Sequence, residues 1–364
     1  MDSWQESWVQ SCDDFTAMPF HMQELSQVVK LTSCLSGTKL SFILSNLYGK
    51  TDLLFDEIWI SRSPSFHVKH RVTYFGKSAI TVGKGSKIQV DAIEMPIKCK
   101  ETIYVYLRAK TAQVYADFCC TYATKLVNAS ISRKAEYIPR LTENNEHRKG
   151  WFCLEQLLVW SQAQPLKVQI GGDSLAEMGL ITQHISQWLL NNYPEKVTCA
   201  NTGVSGSRLL HDAPNDKPIL QTYGKSLVKR MQETQYQTDI SIIFCGGNDL
   251  ILPFYSTAAA KQAVTVAQLI AGFKKIQQQY SGHLLLGTIL PTSKIDQKTE
   301  EIRLQVNNEL LGWTNVFDAA GVVQGAKSEI AAEFDFGDQL HVNAAGAKKI
   351  VQRIIPLLQQ YLIK

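Results

Sequence analysis

From Leu166 to the C-terminus, five short apolar runs alternate with segments of helical period. The runs are Leu166 to Ile170, Val197 to Ala200, Ile240 to Cys245, Leu284 to Ile289 and Val316 to Phe317. Between the first two, Ile181, Ile185, Trp188 and Leu189 fall at i, i+4, i+7 and i+8, one face of a helix. Strands joined through helices must run parallel, with helices on both faces of the sheet. The second half of the chain is therefore expected to be a five-stranded parallel sheet in three layers. A last helix is expected from Asn343, a good N-cap, to Leu362, kinked at Pro356.

The first half has another rhythm. From about residue 24 to 160, apolar and polar positions alternate with period two, punctuated by turn signals such as Gly76, Gly83 and Gly85. Strands are expected at Lys39 to Ser45, Ile58 to Ile60, Val72 to Phe75, Ile80 to Val82, Ile88 to Val90, Thr102 to Leu107 and Val114 to Phe118. One more apolar segment runs from Trp151 to Trp160. The polar stretch Leu141 to Lys149, with Glu143, Asn144, Asn145 and Glu146, reads as a loop. The pattern is that of an antiparallel, jelly-roll-like β-sandwich. A break around Ser161 to Pro165 divides residues 1–160 from 161–364, and 364 residues suit two domains.

Several classes of function are disfavoured. Lysine and arginine total 37 against 33 acidic residues, and a formal charge of +4 is too small for a nucleic-acid footprint. No apolar window approaches a membrane span. The first residues carry Asp2 and Glu6 and resemble no secretory signal, and the eight cysteines include no Cys-x-x-Cys pair. Free thiols in a reducing cytoplasm are the expectation. His67 and His70 are spaced like metal ligands but have no third partner, so no metal is expected. No nucleotide or flavin motif calls for a cofactor.

In an open parallel sheet, ligands bind beyond the carboxyl ends of the strands. Four blocks occupy those positions: Gly171-Gly172-Asp173-Ser174-Leu175, Asn201 to Ser207 with Gly203 and Gly206, Gly246-Gly247-Asn248-Asp249, and Asp338-Gln339-Leu340-His341 before the final helix. Ser174 lies where a strand must turn sharply into a helix, with glycines supplying the backbone freedom. Its hydroxyl needs a base to become a nucleophile, and His341 is the candidate. Asp338 can hold the same imidazole, although Asp335, Asp318 or a main-chain carbonyl could serve instead.

The four blocks, in this order, resemble those of the SGNH hydrolases, the lineage of G-D-S-L esterases. The resemblance implies a serine esterase acting on a small-molecule ester, with Ser174, Asp338 and His341 as catalytic residues. It also implies an oxyanion hole built from the N–H groups of Ser174 and Gly206 and the amide of Asn248. Gly206 is preferred to Gly203 because it stands in a Ser-Gly step. The run Ser45-Asn46-Leu47-Tyr48-Gly49 in the β half resembles the N-terminal domain of bacterial carbohydrate acetylesterases, which implies an acetylated oligosaccharide as substrate. A short-chain acyl esterase or lipolytic enzyme is the alternative, and a glycan-binding protein without activity is another. Asp173 is a candidate for the substrate pocket, as are Phe254 and Tyr255 in the apolar segment that begins at Leu250.

Overall fold

A computed structural model describes residues 2–143, 147–232 and 238–362. Asn144, Asn145 and Glu146 of the expected polar loop lie outside the described residues. The chain divides into two compact units, Met1–Leu166 with Ser186–Ala200, and Lys167–Ile185 with Asn201–Lys364.

The first unit is antiparallel. One set of strands runs in the order Val127–Ser132, Leu25–Thr32, Thr102–Ala109, Glu57–Ser61, His70–Arg71. Another runs Ser86–Gln89, Lys39–Asn46, Leu154–Ser161, Ser3–Gln10. Register places Val105 opposite both Val29 and Ile60. These three join Leu25 from the first set and Phe42 and Leu44 from the second in one buried core, as a sandwich requires. Phe20, Phe118, Phe152 and Tyr115 extend that core through ring contacts at 4.7–5.1 Å.

Three expected strands are corrected. Val72 to Phe75 is not a strand: Tyr74 makes only an isolated bridge to Lys77, and the chain turns at Phe75 and Gly76, whose N–H groups, with the Thr73 hydroxyl, donate to the Asp91 carboxylate. Val114 to Phe118 is two strands, Gln113–Tyr115 and Asp117–Thr121. Trp151 to Trp160 is likewise broken at Cys153, whose φ of 67° takes it out of extended backbone. The strand Ser3–Gln10 lies outside the region where period two was expected.

In the second half the five expected strands are present: β1 (Leu166–Gly172), β2 (Val197–Gly203), β3 (Ile240–Phe244), β4 (His283–Gly287) and β5 (Val316–Phe317). Their order is β2-β1-β3-β4-β5. β3 pairs in parallel with β1 and β4, and β4 with β5. Every residue of β3 is buried, as a strand covered on both faces must be. The helices Val266–Gln279 and Gln297–Leu310 bring Leu269, Phe273, Val306 and Leu310 into one core with Ile243 and Leu286. The last helix, Ala344–Leu362, is capped by Asn343, whose side chain accepts from the N–H groups of Ala345 and Gly346, and it contains Pro356. Among the described residues no helix is long and apolar enough to cross a membrane.

Candidate functional site

β1 ends at Gly172, whose φ of 111° turns the chain abruptly. A β-carbon there would run into the carbonyl oxygen of Phe244 on β3, so only glycine fits. Asp173 then caps a one-turn helix, its side chain accepting from the N–H of Leu175, and Ser174 is the first residue of that turn. The Ser174 hydroxyl stands 2.8 Å from Nε2 of His341.

His341 arrives on the loop before the final helix. Its Nδ1 lies 2.6 Å from Oδ2 of Asp338. The other oxygen, Oδ1, accepts from the N–H groups of Leu340 and His341 at 3.0 and 2.9 Å, which closes the loop on itself. Burial opposes ionisation of Asp338, but the bond to His341 and those N–H groups prevail and hold its carboxyl down at about 2. Asp335 is engaged elsewhere: it accepts from the backbone and side-chain amides of Gln339. Of the candidates weighed from sequence, the one that meets the imidazole nitrogen is Asp338.

The third block shares a pocket with the serine, and the second is tied to the turn before it by the Val204 N–H, which donates to the Gly172 carbonyl at 3.2 Å. Gly206 has a φ of 73°, and a β-carbon on it would run into the ring of Tyr223. Asn248, 8% exposed, donates from Nδ2 to the carbonyl of Ser207 at 3.1 Å. Asp249 is buried and accepts from the N–H groups of Leu209 and Leu210 at 2.6 and 3.1 Å, tying the third block to the loop that continues the second. Burial pushes the Asp249 and Asp173 carboxyls up to about 6, against hydrogen bonds and nearby cations that pull them down.

Ser174, Asn248 and His341 open onto a pocket that Asp173, Ile251 and Leu290 also line; Gly206, Asp249 and Asp338 are outside this lining. Phe254 and Tyr255 are outside this lining: the chain after Asn248 continues into a 3-10 turn, Leu252–Phe254, that leaves both side chains about half exposed. The wall formed by Thr288, Ile289, Leu290 and Pro291 was not anticipated. The strand-end rule could have found it, since these residues directly follow β4. Arg230 and Glu177, which touch the blocks from behind, carry no such signal. Among the described residues no group of three or more His, Cys, Asp or Glu could hold a metal ion.

A parallel α/β sheet with these four blocks on its strand-end loops defines a hydrolase domain. The model of the GDSL-like lipases and acylhydrolases matches residues 171–354, and the chain belongs to that family. No curated protein matches the chain. Among solved structures it is similar to a family two carbohydrate esterase from Cellvibrio japonicus, at 11% identity over 100% of this chain and 99% of that one, with a TM-score of 0.36. An active-site mutant of a family two carbohydrate esterase from Clostridium thermocellum gives 12% identity, the same coverage of each chain and a TM-score of 0.37. A GDSL-like lipase from Bacteroides thetaiotaomicron covers 55% of this chain and 92% of its own, at 12% identity and a TM-score of 0.39.

Proposed function

We propose that the protein is a serine esterase that removes small acyl groups, acetyl above all, from carbohydrate hydroxyls through an acyl-enzyme on Ser174. The observation that carries this reading is the chain of contacts from Ser174 to His341 to Asp338, at 2.8 and 2.6 Å, with Ser174 and His341 lining one pocket. In the first half-reaction Ser174 Oγ attacks the ester carbonyl while its proton passes to His341 Nε2. Asp338 holds the Nδ1 proton and the resulting imidazolium. The tetrahedral oxygen rests on the N–H groups of Ser174 and Gly206 and on the Asn248 amide. That amide has a second hydrogen besides the one given to Ser207. The sugar alkoxide leaves with the proton from His341, and water repeats the sequence to release the acid.

Outside the pocket lining, the half-exposed rings of Phe254 and Tyr255 are suited to stacking on a sugar. The apolar wall of Ile251, Ile289, Leu290 and Leu340 favours a second reading, a short-chain acyl esterase indifferent to the alcohol. The eight free thiols suit a reducing compartment, and we place the reaction in the cytoplasm. The test measures acetate release from acetylated xylo-oligosaccharides beside hydrolysis of 4-nitrophenyl acetate and of a long-chain ester. Both acetate activities should vanish in Ser174→Ala. Preference for the long-chain ester would reject acetyl specificity, and aryl acetate activity without sugar deacetylation would favour the second reading.

A further inference from the structure

Behind the site, the helix Leu227–Gln232 sends Arg230 toward the strand ends. Its Nη2 donates to the carbonyl of Gly172 at 2.6 Å and to the Ser207 hydroxyl at 3.0 Å, and Nη1 donates to the carbonyl of Thr202 at 3.0 Å. Gly172 lies two residues before Ser174. Thr202 and Ser207 bracket the segment that carries Gly206. Ser207 in turn accepts the Asn248 amide. One guanidinium thus grips the nucleophile turn and both ends of the second block, and reaches the third block through Ser207.

We propose that Arg230 is a positioning residue of the esterase: it fixes the spacing between the donor at Ser174 and those at Gly206 and Asn248. The inference rests on the esterase reading above. Arginine suits the task because its planar fork presents several donors in a fixed geometry, where a lysine ammonium is a single compact charge. The three acceptors come from two separate loops, so holding them on one rigid plane fixes one loop against the other. A second tie joins the same pair, since the Glu177 carboxylate, on the nucleophile turn, accepts from the Ser205 hydroxyl beside Gly206. Burial raises the Asp173 carboxyl, and the charge of Arg230 opposes it together with the Leu175 N–H and His341. A donor set that drifts by an ångström binds the ground-state ester nearly as well but loses the transition state.

The experiment compares Arg230→Met, Arg230→Lys and Arg230→Ala with the unchanged protein on 4-nitrophenyl acetate, with the folded fraction at assay temperature taken from thermal melts. Arg230→Met should lose on the order of 10–10² in kcat per folded molecule while KM stays within about twofold. Arg230→Lys should lose less but remain below the native protein, and this variant decides the matter if the methionine protein does not fold. Added guanidinium ion, at concentrations that leave the melts unchanged, should restore part of the activity of Arg230→Ala and none to Ser174→Ala. A kcat per folded molecule near native in Arg230→Lys without any guanidinium response in Arg230→Ala overturns the inference. Native activity in Ser174→Ala would instead overturn the esterase reading, and this inference with it.

Discussion

Asp117 in the first unit and Asp249 in the second are alike in chemistry and differ in what they hold. Both are buried, both are pushed up by desolvation, and both accept backbone N–H groups that pull the other way. Asp117 takes the Ser45 hydroxyl at 2.5 Å and the N–H groups of Leu47 and Tyr48 at 2.9 Å, and so closes a turn of the sandwich. Asp249 closes a loop too, but that loop continues from Ser207, which accepts the Asn248 amide. A buried carboxylate maintains shape in either place. In the α/β unit, that shape includes the loop on which the Asn248 amide rests.

The comparison breaks first at Ser174. Ser174→Ala should cut ester hydrolysis by roughly 10⁴–10⁶-fold, with a melting temperature close to native, because the hydroxyl contributes chemistry and little packing. Asn248→Ala should lower kcat on the order of 10²–10³-fold with KM little changed. An unchanged kcat per folded molecule would make it a turn residue, like those around Asp117.

Asp173 gives a dependence on pH. Its folded carboxyl is raised from 3.8 to about 6, so the stability it contributes is fully present below about 4 and is lost as pH rises through 6. At two units the loss is at most about 3 kcal/mol. Asp173→Asn keeps the acceptor for the Leu175 N–H and cannot ionise. Denaturant unfolding should find this variant as stable as the native protein at pH 4 and more stable at pH 8. A gap that does not grow with pH would show that Asp173 is not held in this way.

The smallest effects come from the aspartates that define the comparison. In each, asparagine would turn an amide hydrogen toward an N–H group, at a cost of about 1–3 kcal/mol. Asp117→Asn should lose stability and keep its kcat per folded molecule. Asp249→Asn should lose both, with kcat falling by about tenfold as Asn248 loses its aim.

How far sequence reading reaches differs between the units for a related reason. The blocks at 172–175, 246–249 and 338–341 are local, so a few adjacent residues identified them, and the strands before them followed from apolar runs. The grip of Arg230 is not local: it depends on three carbonyl and hydroxyl partners up to 58 positions away. Nothing in the residues around Arg230 announces it. In the sandwich, the apolar rhythm of Trp151 to Trp160 continues straight through Cys153, and only the backbone reveals the break. The choice of Asp338 over Asp335 likewise turned on which of two nearby carboxylates faces Nδ1, which spacing alone leaves open.

Gly172 has a consequence for how the enzyme's substrate range can change. The turn before Ser174 offers no room for change: Gly172 lies against the end of β3, with no side chain to trim and no space to add one. Acyl scope is better altered at the apolar lining residues away from that turn, Ile251, Ile289, Leu290 and Leu340. A mutant library seeking longer acyl chains belongs at those four positions, where a lineage can drift in specificity without disturbing the turn that presents Ser174.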